Sequence, residues 1–247
     1  MIASLPMYDL PPLQQANDRL WQAIRAALCW GPPRLDRFIG VWEAWRSPVL
    51  VLSQTCSLPY RTALHGQVAL VGSPDFGLPG CAPGQYNSVL VAREDDNRPP
   101  AVLLAARVAV NERLSQSGYA ALWQAAQAHG ARPSEVVLTG AHAASVKAVA
   151  EGRADIAAID AQTWRLLSLY DPGAQCLREI ERTQPTPAMP YITALRHDPA
   201  ELLAAMRQAV DALDAPTRMR LGLRGVVPVQ PMDFLALETP PPLSQRG

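Results

Sequence analysis

Arg107-Val108-Ala109-Val110-Asn111-Glu112-Arg113-Leu114-Ser115-Gln116-Ser117-Gly118-Tyr119 is the stretch that decides the fold class of this chain. It opens on a short β-branched and apolar run. It closes on a helical pattern in which Tyr119, Leu122, Trp123 and Ala126 share one face. Two serines, a glutamine and a glycine therefore stand where a strand gives way to a helix. The first N–H groups of a helix lack an internal partner, and the macrodipole makes that end positive. Small hydroxyl residues there, with a glycine allowing close approach, make a seat for a phosphate-like or carboxylate anion. Serine is equally favoured at that place as a local helix cap, and the segment alone leaves both readings open.

The same alternation extends outward in both directions. Upstream, the first residues read as a buried strand ending at Pro6, and Pro12 to Leu28 as an amphipathic helix carrying Leu13, Leu20, Trp21, Ile24 and Leu28. Val49–Leu52, Val68–Val71 and Ser88–Ala92 are further strand candidates, the last two separated by a turn-rich loop from Gly72 to Gly84. Downstream come strands at Val136–Leu138, Ile156–Ile159 and Tyr191–Leu195 with helical patterns between them; Asp198-Pro199 opens a helix as a capping side chain followed by a first-turn proline. Repeated alternation predicts an α/β protein of mostly parallel sheets flanked by helices. Two proline-bearing breaks, Glu94–Pro100 and Thr183–Pro190, bracket a central block. They predict two lobes, one made of residues 1–99 with 189–247 and the other of residues 100–188, with a mobile proline-rich tail at 239–247.

Composition narrows the function classes. The chain has 247 residues, is 49% hydrophobic and carries a formal net charge of zero, which argues against a nucleic-acid surface needing many phosphate contacts. It holds no apolar run long enough to span a membrane. Met1 to Tyr8 lacks a basic leader and a long apolar core, so a cytoplasmic protein is expected as written, or a periplasmic one if the true start lies upstream. Cys29, Cys56, Cys81 and Cys176 lack paired metal-ligand spacing, so neither a metal nor a cofactor is expected. Cys56 and Cys81 fall in neighbouring loops and are read either as a pair or as two buried thiols.

In α/β sheets ligands lie beyond the carboxyl ends of strands. Those loops offer Tyr8, Gln54, Thr55, Tyr60 and Tyr86 in the first lobe, and Ser115, Gln116, Ser117, Gly118, His142, Asp160 and Gln162 in the second. Two polar sets facing one another across a hinge would form a small-ligand clamp. His142 has the alternative of bonding a carbonyl or capping its own helix, and Asp160 that of capping the helix after it. Tyr86, among glycines, reads as a poor core residue. A Ser115–His142 hydrolase lacks any visible third group to orient it.

With these pieces in order, the chain resembles the substrate-binding proteins of phosphate, phosphite and phosphonate ABC transporters, which have the two-lobed type II periplasmic-binding-protein fold. The resemblance is carried by Tyr86-Asn87-Ser88-Val89-Leu90-Val91, Ser115-Gln116-Ser117-Gly118-Tyr119, Thr139-Gly140-Ala141-His142 and Gly152-Arg153-Ala154-Asp155-Ile156-Ala157-Ala158-Ile159-Asp160. It implies a non-catalytic, monomeric protein that closes two lobes on a small oxyanion and delivers it to a permease. It also implies an anion clamp at Ser115, Gln116 and Ser117, a ligand tyrosine at Tyr86 and a second-lobe ligand histidine at His142. Gln116 stands where the family often has threonine, and an acidic residue is replaced near Gln162, which points away from an aminophosphonate. Two other classes remain beside this reading: a cytosolic enzyme on the same scaffold, similar to chorismate dehydratases or pyrimidine-precursor synthases, and a cytosolic anion sensor.

Overall fold

The computed structural model describes residues 1–243. Its strands are β1 (Ile2–Ser4), β2 (Leu50–Gln54), β3 (Val68–Asp75), β4 (Gln85–Tyr86), β5 (Ser88–Arg93), β6 (Arg107–Val110), β7 (Glu135–Leu138), β8 (Ile156–Asp160), β9 (Leu177–Arg182), β10 (Thr186–Pro187), β11 (Tyr191–Ala194) and β12 (Gly225–Val227). The chain divides into two compact units: unit 1 holds Met1–Gln85 and Pro187–Leu237, and unit 2 holds Tyr86–Thr186 and the segment from Glu238.

Unit 1 is built on a sheet of order β1-β2-β11-β3-β12. β1 and β2 are parallel, and β11 enters between β2 and β3 antiparallel to both. The helix Gln14–Leu28 buries Ala16, Leu20, Trp21, Ile24 and Leu28, spaced as one helical face, and packs on the helix Pro199–Ala212. It stops at Cys29, which takes a left-handed φ of 61° and donates its N–H to Arg25 O at 2.9 Å. On the sheet, Trp45, Leu50, Tyr60, Leu64, Ile192 and Phe234 form a closed apolar cluster.

Unit 2 repeats the plan with the order β7-β6-β8-β5-β9. β6 is parallel to β7 and to β8, while β5 runs antiparallel between β8 and β9. Its core joins Leu90, Leu103, Leu104, Val108, Val110, Tyr119, Leu122 and Ile156. In each unit the strand inserted antiparallel between two others is the one the chain forms on arriving from the other unit: β5 after β4, and β11 after β10. Unit 2 thus has one strand against the grain, whereas unit 1 has two, because its edge strand β12 is also antiparallel to β3.

Two expectations change. The first passage between units falls at Gln85/Tyr86, not at residues 99 and 100, because β5 pairs Ser88 with Asp160 and Val89 with Ile159 and so belongs to unit 2. Pro99 and Pro100 open the helix Pro100–Leu104 instead, proline being suited to a first helical turn. The return passage, at Thr186/Pro187, falls within the second proline-bearing break. The expected mobile tail is the other change. Pro240 is buried, Leu243 packs against the unit 2 core, and Arg113 Nη1 donates to Leu243 O at 2.9 Å; residues 244–247 lie outside the described residues.

Candidate functional site

The site is assembled by two parallel neighbours in unit 2. β6 and β7 are in register from Arg107↔Glu135 to Val110↔Leu138, so their exit loops leave side by side. Thr139 N donates to Val110 O at 2.9 Å and Gly140 N to Asn111 O at 2.8 Å, which ties one loop to the other. The Thr139 hydroxyl lies 2.7 Å from that of Ser145 and fixes the turn into the helix His142–Ala150. Gly140, at φ +88°, supplies the left-handed turn that β-carbon-bearing residues avoid.

These ties bring His142 to the Ser115 loop. His142 Nε2 sits 2.8 Å from Ser117 Oγ, and Ser117 Oγ 3.4 Å from Ser115 Oγ. Gly118 N donates to Ser115 Oγ at 2.9 Å, so Ser115 does cap its helix. Capping uses a lone pair, however, and leaves the hydroxyl proton. The helix opens with a π-turn over Gln116–Ala120, in which Tyr119 N and Ala120 N both reach Ser115 O; such widened turns recur at functional sites.

In one ring tautomer this cluster has a donor to spare. Burial pushes the His142 pKa down to about 4, so the ring is neutral near pH 7 and carries one N–H. The two serines and this histidine together hold three donor protons across two mutual contacts. With the ring proton on Nε2, one serine hydroxyl proton is left over for a ligand; with it on Nδ1, both hydroxyl protons are used within the cluster. His142 Nδ1 is shielded from water and has no hydrogen-bond partner among the described residues, as has Asn111 Oδ1. Asn111, at the end of β6, carries no local sequence signal that sets it apart from a turn residue. Its side chain lies directly over Gly118, where a Cβ would come within 1.7 Å of Asn111 Oδ1. The glycine is therefore there to admit Asn111, whose amide joins the rim of the loop.

Of the other expected residues, Asp160 ends β8, the parallel neighbour of β6 that packs against the Gln116–Ala120 turn. Asp160 is fully buried and accepts from Thr163 N at 2.7 Å, capping the helix Ala161–Tyr170; Gln162 is buried in the first turn of that helix. Tyr86 is 1% exposed and begins unit 2, so it is neither a first-lobe residue nor a poor fit for burial. In unit 1, Tyr60 packs edge-on to Phe234 inside the core, and burial raises its pKa. Gln54 Nε2 donates to Met189 O at 3.0 Å and Thr55 N to Pro190 O at 3.0 Å, so both secure the segment entering β11. Tyr8 meets the edge of Phe76, and with Gln54, Asn17 and Tyr191 lines a cavity of about 20 Å³, room for one water. The four cysteines are thiols, Cys56 buried and Cys81 half-buried.

A broad depression of about 610 Å³ lies at Arg93, Asp95, Asp96, Asn97 and Arg98 in unit 2. Its cations are already spent: Arg98 reaches Asp96 at 2.5 Å and Asp155 at 2.8 Å, and Arg107 reaches Asp155 at 2.9 Å. Burial raises the Asp155 pKa, but hydrogen bonds from Arg107 and Arg98 outweigh it and hold the carboxyl below its ordinary range. This is a strand-end ion network rather than a ligand seat. Among the described residues no cluster of His, Cys, Asp and Glu is arranged for a metal ion, and no helix is long and apolar enough to cross a membrane.

Residues 55–234 match the family model described as "ABC transporter, phosphonate, periplasmic substrate-binding protein". The chain belongs to this family. The Ser115 loop, His142 and the whole unit 2 sheet lie within the matched span, as do β3, β11 and β12 of unit 1. Among solved structures the chain is similar to the binding-protein component of an ABC phosphonate transporter (PA3383) from Pseudomonas aeruginosa, with 15% identity, a TM-score of 0.71, and coverage of 95% of this chain and 83% of that one. It is similar to PhnD1 from Prochlorococcus marinus in complex with methylphosphonate, at 13% identity, TM-score 0.70 and 94% coverage of both chains. MatC from Rhodopseudomonas palustris with bound malate shares 12% identity and a TM-score of 0.63, covering 95% of this chain and 93% of that one. At such identities these likenesses establish the two-lobed periplasmic-binding-protein fold. No match is found among curated protein sequences. The protein is thus a member of a substrate-binding family that works with an ABC transporter and takes a small ligand.

Proposed function

We propose that this protein binds a small tetrahedral oxyanion, phosphate, phosphite or a simple phosphonate, without altering it, and presents it to a permease. The carrying observation is the cluster of Ser115, Ser117 and His142 at a helix N-terminus, which with the ring proton on Nε2 has a hydroxyl donor to spare. An oxyanion offers several acceptor oxygens to such a set, and the positive end of the helix dipole disfavours a cation there. His142 is neutral there, so charge is met by dipoles and hydrogen bonds, with no counter-ion, as suits a ligand that must later be released. That the family is one of binding proteins supports the absence of turnover; the phosphonate held by one structural relative supports the ligand class, and the malate held by another makes a carboxylate the natural control.

Calorimetry with phosphate, phosphite, methylphosphonate and malate tests the reading. Hydrogen bonds to charged groups contribute on the order of 1.5–3 kcal/mol each. Ser115→Ala/Ser117→Ala should therefore weaken oxyanion binding by roughly two to four decades, and the ligand recovered from wild-type protein should be chemically unchanged. Equal affinity in a folded double variant would reduce the loop to a helix cap, and malate bound in preference to every phosphorus oxyanion would overturn the ligand class.

A further inference from the structure

Arg113 and Tyr119 stand on either side of the Ser115–Gly118 loop, and both reach the same stretch of chain. The Tyr119 hydroxyl donates to Pro241 O, and Arg113 Nη1 donates to Leu243 O at 2.9 Å. Leu243 then packs on the unit 2 core that contains the Tyr119 ring with Leu122 and Ala126. This stretch arrives from the other unit: unit 1 ends at Leu237, and the residues from Glu238 on belong to unit 2.

The sequence of the stretch explains the mode of contact. Pro240-Pro241-Pro242 has no backbone N–H and a fixed φ, so it offers only carbonyl acceptors on a stiff, extended chain. Such a chain is read by side-chain donors such as a tyrosine hydroxyl or a guanidinium, and it loses little freedom on docking. Burial raises the Tyr119 pKa, which keeps its hydroxyl protonated and donating.

We infer that Glu238–Leu243 braces the anion loop, and that Arg113 and Tyr119 are positioning residues that hold Ser115, Ser117 and Gly118 in place through it. The inference rests on the oxyanion reading for its functional consequence, though not for the brace itself. A set of donors binds tightly only when it is ordered before the ligand arrives. The loop is fixed at one end by β6 and at the other by its helix. Its intervening residues gain two further anchors from a stretch whose sequence looks like a disordered tail.

The test compares the full chain with a variant ending at Leu237, and with Tyr119→Phe and Arg113→Gln in the full chain. Methylphosphonate and inorganic phosphate are the binding probes, and amide hydrogen exchange is followed in residues 111–120 and in β5 and β8. Truncation should speed exchange in residues 111–120 while leaving β5 and β8 protected, and should weaken binding about tenfold, a fraction of what one neutral and one charge-assisted hydrogen bond at the loop contribute. Adding the peptide of residues 238–247 in trans should restore both. Tyr119→Phe should show the same pattern at about threefold. If wild type takes neither probe, the oxyanion reading fails and exchange in the loop alone decides the brace. If the truncated chain does not fold, the two full-length variants decide. Unchanged loop exchange, or unchanged affinity in variants of a chain that does bind, overturns the inference.

Discussion

At His142 a single ring nitrogen shows how burial fixes a protonation state. The ordinary imidazole pKa is about 6.5, and here desolvation lowers it to about 4. A group whose folded pKa lies below its unfolded value takes up protons more readily in the unfolded chain. Its contribution to stability is therefore intact above about pH 6.5 and declines as the pH falls towards 4. At pH 4.5 the loss amounts to at most about 2.5 kcal/mol, less if solvent reaches part of the half-buried ring. His142→Gln keeps a neutral hydrogen-bonding group near Ser117 and removes the titration. Urea unfolding at pH 7 and pH 4.5 should show wild type losing more stability than the variant over that interval, although other groups titrate in both. Parallel losses in the two proteins would show that the ring is solvated and not held neutral by its surroundings.

The loop between β6 and its helix carries a second, opposed pair of effects at Gly118. Alanine at a helical position is worth about 1 kcal/mol more than glycine, so Gly118→Ala would stabilise an isolated helix. In this protein the added Cβ would lie 1.7 Å from Asn111 Oδ1 and 2.7 Å from Asn111 Cγ. Asn111 must swing away, which its side chain can do, so the expected change in stability is small while oxyanion affinity falls at least tenfold. Asn111→Ala in the Gly118→Ala background removes the clash; a double-mutant cycle on stability should show coupling between the two positions, and additivity would place Asn111 away from the loop.

That loop also shows what the sequence makes legible and what it hides. The serine cluster and His142 were recognisable because each follows a strand and opens a helix, a purely local pattern. Asn111 was not, because an asparagine at a strand end ordinarily signals a turn, and its role appears only when Gly118 is seen beneath it. Asp160 and Gln54 have polar side chains in exit loops, yet their hydrogen bonds go to Thr163 N and to Met189 O, partners that local spacing does not reveal for Gln54. Prolines misled twice: at Pro99-Pro100 they start a helix, and at Pro240–Pro242 they form a docked segment.

On the scale of the whole molecule, the placement of β5 makes a prediction that separates the two ways of dividing the chain. A division at the proline-bearing breaks gives a central fragment of residues 100–188. The sheet order β7-β6-β8-β5-β9 shows that this fragment lacks an interior strand, which leaves β8 and β9 without the partner that joins them. It would also lose Leu90 and Ala92 from the core. A fragment of residues 86–186 keeps all five strands and lacks only the docked C-terminal segment. Units with their own core can fold alone, so the longer fragment should unfold in urea in one cooperative transition, at lower stability than the intact chain because Leu243 is missing from its surface. The shorter one should show no such transition, having unpaired strand edges and exposed apolar faces that favour aggregation. Adding residues 86–99 back, rather than lengthening the other end, should be what restores folding; a cooperative transition in the 100–188 fragment would mean that β5 is dispensable and that the unit boundary lies at the prolines after all.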